Sequence, residues 1–195
     1  TGTRAAIPPI AGLDQVPFLD ASSIQELDRL PSRLLVIGGS YIGLEFGQMF
    51  QRFGSQVSIV QRGPQLMDRE DADVAEAVHK ILVEDGLDVH LNADVLNAGR
   101  GPTEGSVVLH LQLPGGPLRL EGSHVLVATG RIPNSDDLNL AAADVEADAA
   151  GYIKVNERLE TSTPGVYALG DVKGGPAFTH IAYDDYRVLE ANLLK

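Results

Sequence analysis

LLVIGGSYIGLEFG, residues Leu34–Gly47, is the segment of this chain that says most about its architecture. It begins with four apolar residues, as a buried parallel strand does. Gly38 and Gly39 then turn the chain, and Tyr41–Phe53 carries apolar residues at helical spacing. A strand, a glycine turn and a helix form the opening unit of a dinucleotide-binding βαβ fold. Glycine lets the backbone approach a pyrophosphate there, and the helix N-terminus stabilises its charge.

The glycine spacing departs from the usual G-x-G-x-x-G pattern at one position. Ser40 stands where the middle glycine is expected, between Gly38 and Gly43. Serine is small, so the spacing still predicts a close approach of the backbone to a phosphate. The alternative is an ordinary strand–helix connection in an α/β protein. The residues predicted to contact a dinucleotide are contiguous: Gly38, Gly39, Ser40, Tyr41, Ile42, Gly43, Leu44 and Glu45.

Composition narrows the possible functions. The chain has 195 residues, 44% of them hydrophobic, which suits one domain or slightly more. Its net charge of -12 argues against a nucleic-acid partner, because phosphate backbones would be repelled. It has no cysteine, and its histidines lack ligand spacing, so no metal site is predicted. No apolar run approaches the ~20 residues of a membrane span. A cytoplasmic location is therefore the default expectation.

The hydrophobic pattern predicts two kinds of sheet. Short apolar runs alternating with helical segments indicate a parallel sheet, and runs of period two separated by glycine turns indicate an antiparallel meander. The predicted class is α/β: a Rossmann-like three-layer nucleotide-binding domain with a parallel sheet plus a small antiparallel β-meander. The parallel strands are Leu34–Ile37, Gln56–Val60, Asp88–Leu91 and His124–Ala128, the helices Tyr41–Phe53 and Asp71–Glu84, and the meander strands Val95–Ala98, Ser106–Leu113 and Leu118–Leu120.

Four further elements are predicted from shorter signals. Ser23 is expected to cap a short helix, Ile24–Leu30, which Pro31 ends. Tyr152–Val155 and Val166–Leu169 are predicted to be strands, and a last helix to begin near residues 178–180. The acidic run that starts at Glu70 is interpreted as the exposed start of a helix.

Gln61 and Arg62 follow the second parallel strand. Gln61 lies 18 positions beyond Gly43, where NAD-selective folds place an acid on the ribose 2′-hydroxyl. An acid would repel a 2′-phosphate, whereas an amide and a guanidinium would bind one. The pair therefore favours NADP over NAD, although NAD remains possible. The alternative for Arg62 is a solvated side chain at a strand end.

The chain resembles the pyridine nucleotide-disulfide oxidoreductases at several separate motifs, in the family's order and spacing. Two further stretches are most similar to its mercuric reductase and dihydrolipoamide dehydrogenase branch. The family motifs are TGTRAAIPPIAGL (Thr1–Leu13), GGSYIGLE (Gly38–Glu45), VATGRIPN (Val127–Asn134) and GVYALGDV (Gly165–Val172), and the branch motifs LMDREDADVAEAV (Leu66–Val78) and FTHIAYDDYR (Phe178–Arg187).

The resemblance implies a domain organisation, because in this family the nicotinamide-binding domain is inserted into an FAD-binding domain. Residues 1–12 would be a returning segment of the FAD-binding domain, residues 13–131 the NAD(P)-binding domain, and residues 132–195 a truncated C-terminal part of the FAD-binding domain. The implied partners are a nicotinamide dinucleotide and the remainder of the protein's own FAD and interface domains. The full-length protein would be a homodimer.

The resemblance also assigns residues one by one. Val95 and Gly130 would contact the adenine and nicotinamide ends of the cofactor, and Glu45 would lie near the nicotinamide. Asp171 would accept a hydrogen bond from the flavin ribityl chain. The residues placed beside FAD are Thr1, Gly2 and Thr3, and those at the helix start facing the flavin are Ala177, Phe178, Thr179 and His180.

The family's chemistry passes hydride from NAD(P)H to FAD and then electrons to a disulfide or metal-ion substrate. Its redox cysteines and its histidine–glutamate pair belong to regions outside these 195 residues. No catalytic residue is therefore predicted here, and the isolated chain is expected to be inactive and not to retain FAD. One alternative is a flavoprotein of the NADH oxidase or ferredoxin reductase type without redox cysteines. The other is a non-catalytic nucleotide-binding module.

Overall fold

The computed structural model describes residues 1–194, and it has the predicted mixed α/β architecture. Residue contacts divide the chain into two compact units, Ala5–Gly130 and Thr1–Arg4 together with the segment from Arg131 onward. The strands are β1 (Thr3–Ala5), β2 (Arg33–Ile37), β3 (Gln56–Val60), β4 (Asp88–His90), β5 (Asp94–Arg100), β6 (Val107–Leu113), β7 (Gly116–Gly122), β8 (His124–Val127) and β9 (Arg131–Pro133), and the helices are α1 (Tyr41–Arg52), α2 (Ala72–Glu84) and α3 (Thr179–Leu194).

The larger unit is built on a four-stranded parallel sheet in the order β4-β3-β2-β8. The register places Ile37 of β2 beside Val60 of β3 and Val127 of β8. These three strands therefore end at the same edge of the sheet, where the chain enters the glycine turn. All residues of β2 and β3 except the first of each strand are buried, which explains the continuous apolar run of β2 and the apolar residues on either side of the buried Ser58 in β3.

Helices cover one face of this sheet and the antiparallel meander β5-β6-β7 covers the other. Leu44 and Phe50 of α1 pack in the same cluster as Ile59 of β3. On the opposite face, Leu109 of β6 packs in the same cluster as Leu35 of β2. Burying one such side chain contributes about 1.5–3 kcal/mol. The three-layer prediction is therefore confirmed, with β5 and β7 of the meander longer than predicted and β6 one residue shorter.

The smaller unit has less regular structure. It pairs β1 with β9 and contains α3, which begins within the predicted window. Its small hydrophobic core consists of Val145, Ile153, Ala168 and Val172. No helix among residues 1–194 is both long enough and apolar enough to cross a membrane.

The predicted helix Ile24–Leu30 is wrong. The chain forms only a 3₁₀ turn, Ser23–Glu26, and Ser23 does not cap it. The cap comes from Asp20, whose carboxylate accepts hydrogen bonds from the N–H groups of Ser22 and Ser23 at 3.0 and 2.8 Å. An aspartate oxygen that satisfies two turn amides stabilises a tight turn over a longer helix.

The predicted strands Tyr152–Val155 and Val166–Leu169 are also wrong. Each forms only a single antiparallel bridge, Ala147 with Ile153 and Glu160 with Tyr167. The Val166 N–H donates to Thr163 and so closes a local turn instead of extending a ladder. An apolar, β-branched run predicts a strand only where a neighbouring strand pairs with it along its length.

Candidate dinucleotide-binding site

The glycine turn begins directly after β2, at the edge where β2, β3 and β8 end together. The Gly38 N–H donates to the carbonyl of Val60 at 2.9 Å, which ties the turn to β3. Gly38 has φ +113°, and a Cβ there would lie 2.3 Å from the carbonyl oxygen of Ala128. Both the backbone conformation and the space require glycine at this position.

Helix α1 packs closely onto this turn through Gly43. A Cβ on Gly43 would lie 2.1 Å from the carbonyl oxygen of Gly38. The first hydrogen bond into the helix runs from the Leu44 N–H to the Ser40 carbonyl at 3.0 Å. The N–H groups of Ile42 and Gly43 precede it, so they have no acceptor inside the helix. Together with the helix dipole, such groups stabilise an anion.

A loop formed by residues 61–70, here called the overlying loop, packs against the glycine turn. The Gln61 side-chain oxygen accepts a hydrogen bond from the Gly39 N–H at 3.0 Å, and the Gly39 carbonyl accepts one from the Met67 N–H at 2.8 Å. Leu66 is fully buried, and its Cδ2 would lie 2.6 Å from a Cβ on Gly39. A Cβ at Gly39 would therefore displace the Leu66 side chain of the loop packed on it.

These contacts orient the Gln61 side chain. Its oxygen accepts the hydrogen bond from the Gly39 N–H. Its Nε2 lies near Gly63 of the overlying loop, 3.1 Å from where a Cβ on that glycine would be. The amide therefore presents a hydrogen-bond donor away from the turn. Arg62, the next residue, is exposed.

The far end of the overlying loop is joined to α1. The Tyr41 hydroxyl donates a hydrogen bond to the Glu70 carboxylate, which raises the pKa of the tyrosine above its ordinary value; partial burial acts in the same direction and Arg69 against it. The Glu70 backbone accepts from the side-chain amide of Gln65 at 3.1 Å and donates to Met67 at 2.8 Å. Interpreting Glu70 as an exposed helix start missed this contact, because its partner lies 29 residues earlier in the chain.

The remaining residues assigned to the larger unit have other environments. Val95 is half-buried and packs against the core beneath the meander, beside an irregularity in the pairing of β5. Glu45 is exposed on α1. Gly130 is exposed with φ +137°, and its carbonyl accepts a hydrogen bond from the Ala6 N–H at 3.0 Å.

Within the smaller unit, the structure brings together two residues that the sequence placed beside flavin. The Thr3 hydroxyl donates to the Asp171 carboxylate at 3.0 Å. Arg131 donates to the same hydroxyl oxygen from Nε at 2.6 Å and to the Thr3 carbonyl from Nη2 at 2.7 Å. A chain of hydrogen bonds thus runs from Arg131 through Thr3 to Asp171. The side chain and backbone of Asn134 bind the carbonyls of the first two residues, Thr1 and Gly2, at 2.8 and 3.0 Å.

A mostly buried ion pair supports the turn that carries Asp171. The Asp185 carboxylate, on α3, accepts from the Gly170 N–H at 2.8 Å and lies 3.3 Å from the Lys173 ammonium. The two side chains are 12% and 15% exposed. Sequence reasoning missed this pair, because an aspartate inside an amphipathic helix gives no local sign of burial.

The start of α3 is open to solvent. All four of the residues assigned there are exposed, and the rings of Phe178 and His180 are stacked with centroids 5.3 Å apart. The helix begins at Thr179, so Ala177 and Phe178 precede it. The four are Ala177, Phe178, Thr179 and His180. Among residues 1–194, no three His, Asp or Glu side chains are grouped in a way that could hold a metal ion.

The parallel sheet, the glycine turn and the close approach of α1 define a Rossmann-type α/β protein. The chain belongs to the pyridine nucleotide-disulphide oxidoreductase family, whose sequence profile matches residues 1–185. Members of this family are FAD-dependent enzymes that use NAD(P)H. The residues present fit the pyrophosphate of such a cofactor, because the glycines let α1 begin directly on the turn, where a Cβ at Gly43 would lie 2.1 Å from the Gly38 carbonyl oxygen, and the first N–H groups of the helix are left to bind an anion.

Individual relatives are similar along almost the whole chain. A mercuric reductase of Bacillus cereus is 38% identical over 183 residues, 93% of this chain and 28% of the relative. The probable pyridine nucleotide-disulfide oxidoreductase RclA of Escherichia coli (strain K12) is 36% identical over 195 residues, 100% of this chain and 43% of the relative.

A solved structure is also similar to this chain along its whole length. The HOCl-induced flavoprotein disulfide reductase RclA from Escherichia coli superimposes with a TM-score of 0.90 at 36% identity, over 100% of this chain and 43% of that chain. The chain therefore spans less than half the length of these relatives.

Proposed function

We propose that residues 13–131 bind NADPH at the glycine turn and that residues 1–12 and 132–195 supply part of an FAD site. The protein to which they belong would pass hydride from NAD(P)H to FAD and then electrons to a disulfide or a metal ion. The observation that carries the proposal is the close approach of backbone segments at Gly38 and Gly43, where a Cβ would lie within 2.3 Å of a carbonyl oxygen. Glycine is needed at these two positions because the turn and the start of α1 pack this closely, as they do in dinucleotide-binding βαβ units.

The larger unit would act by binding and orienting the dinucleotide. The N–H groups of Ile42 and Gly43 would donate to the pyrophosphate at the positive end of α1. Gln61 would donate from Nε2 to the 2′-phosphate, since its oxygen is already engaged by Gly39. Arg62 would add a cation at the same point. A carboxylate in place of the amide would repel that phosphate.

The smaller unit would act on the flavin, which accepts hydride when bound. Asp171 would accept from a ribityl hydroxyl through the oxygen that Thr3 does not engage, and Arg131 would orient Thr3 through two hydrogen bonds. The N-terminus of α3, which starts at Thr179, would stabilise negative charge on the flavin ring. The partners proposed with this are the remaining FAD and interface domains and, in the complete protein, a second subunit.

Calorimetric titration of the purified chain with NADPH and with NADH, at low and moderate salt, tests the cofactor assignment. We expect tighter binding of NADPH, weakening as salt rises because the 2′-phosphate is bound by charge. Arg62→Gln should reduce that salt dependence. Tighter binding of NADH would contradict the 2′-phosphate assignment, and binding of neither would contradict a cofactor site in this chain.

A further inference from the structure

Glu70 connects two parts of the larger unit that are far apart in sequence. The overlying loop begins at Gln61, whose side chain binds the Gly39 N–H, and ends at Glu70, whose carboxylate binds the Tyr41 hydroxyl. Between these ends, Met67 donates to the Gly39 carbonyl. The loop is therefore attached to the glycine turn at its start and middle, and to the first helical residue of α1 at its end.

The loop needs such attachments because its own conformation is unfavourable. Met67 has φ +48°, a left-handed conformation that a residue with a Cβ adopts at a cost. Surrounding contacts must compensate for this cost. The buried Leu66 and the hydrogen bonds on either side of Met67 do so, and the bond between Tyr41 and Glu70 closes the far end.

We propose that Glu70 is a positioning residue, which fastens the overlying loop to α1 through Tyr41 and so holds Gln61 and Arg62 where a 2′-phosphate binds. This inference rests on the proposed function. Glu70 would control the choice between NADPH and NADH at the proposed site without contacting either cofactor. Arg62 has a long, exposed side chain, so the position of its guanidinium depends on how firmly the loop backbone is held.

Electrostatics alone predicts the opposite effect for the same substitution. Glu70→Ala removes a negative charge from the neighbourhood of the turn, and the more highly charged NADPH would gain more from this than NADH. Positioning predicts instead that NADPH loses more, because only NADPH uses the 2′-phosphate contacts. Tyr41→Phe separates the two effects, since it removes the hydrogen bond and keeps the charge.

The test compares the chain with Tyr41→Phe, Glu70→Ala and the double variant, using the ratio of NADH to NADPH dissociation constants. Each single variant should lower this ratio by about tenfold, the loss expected for a hydrogen bond to a charged group. The double variant should lower it no further, because the two residues share one interaction. Glu76→Ala, which removes the same charge from an exposed position on α2, should leave the ratio unchanged.

A second measurement does not depend on cofactor binding. Amide hydrogen exchange at Gly39 and Met67 should be faster in both single variants, because those N–H groups donate within the clamped turn and loop. An unchanged or increased ratio, or unchanged exchange, would overturn the role of Glu70. If the unaltered chain binds neither dinucleotide while exchange responds as expected, the cofactor assignment fails and the structural role of Glu70 stands.

Discussion

The same substitution at two glycines of α1 should have opposite effects on stability. A Cβ on Gly43 would lie 2.1 Å from the Gly38 carbonyl oxygen, whereas a Cβ on Gly47 would lie 3.3 Å from its nearest neighbour, the Cδ1 of Ile59. Real Cβ atoms essentially never approach another atom within 3.0 Å, so Gly43→Ala must move backbone by about 0.9 Å. The terminal methyl of Ile59 can instead shift by a few tenths of an ångström.

The energies follow from these contacts. Replacing a glycine inside a helix by alanine raises the free energy of unfolding by about 0.5–1 kcal/mol when the space allows it. At Gly47 most of this gain should remain. At Gly43 the overlap should cost about 3 kcal/mol, the upper end for overpacking, because the opposing carbonyl belongs to a residue already fixed by its hydrogen bond to Val60. Gly43→Ala should therefore be about 2 kcal/mol less stable than the parent chain, and Gly47→Ala slightly more stable.

Urea denaturation followed by circular dichroism measures both free energies of unfolding, and equal m-values would show that the variants unfold alike. NADPH titration of the folded variants should show at least a ~10-fold weaker affinity for Gly43→Ala, since the helix amides that bind phosphate are displaced. Affinity should be unchanged for Gly47→Ala. Equal stability of the two variants would refute the steric argument for the glycine turn.

Three further predictions concern single residues. Gln61→Glu should shift the ratio of NADPH to NADH affinity towards NADH by about tenfold or more in titrations, because the carboxylate repels a 2′-phosphate; an unmoved ratio would contradict the 2′-assignment. Asp185→Asn should lower the free energy of unfolding by about 3 kcal/mol by leaving the Lys173 charge without its partner, whereas Asp184→Asn, whose side chain is 66% exposed, should change it by less than about 0.5 kcal/mol; equal urea midpoints would be inconsistent with this. Partial burial lowers the pKa of His124 below its ordinary 6.5, so the unfolded chain takes up the proton first and stability should fall as pH drops from 6.5 through the folded-state value. The free energy of unfolding should therefore differ less between pH 7.5 and pH 5.5 in His124→Gln than in the parent chain, and an identical difference in both proteins would rule out this histidine as the cause.

Local patterns were sufficient for the frame of the larger unit. Strand β3 and the start of α1 lie where the apolar pattern predicted them, and the meander was recognised from its alternation of period two. These features follow from interactions between residues close in sequence, such as apolar spacing and glycine turns. The turn at Gly38 could be located for the same reason, since its positive φ requires glycine whatever packs around it.

Elements that depend on distant partners were not predictable in this way. Tyr152–Val155 and Val166–Leu169 have the composition of strands and pair at only one residue each. Likewise, Asp20 caps a turn for which Ser23 was the expected residue. In these cases the neighbours available in space, and not the propensity of the segment, set the conformation.

The amino-acid order thus established the class of fold and the position of the glycine turn, because both rest on side-chain size and spacing along a short segment. It did not reveal which way the Gln61 amide faces, that Glu70 reaches Tyr41, or that Asp185 is buried against Lys173. Each of these contacts joins residues that are separated in the chain and meet only when packing brings them within hydrogen-bonding distance. A hydrogen bond or an ion pair acts over a few ångströms, so it exists only once the tertiary fold has placed both of its partners.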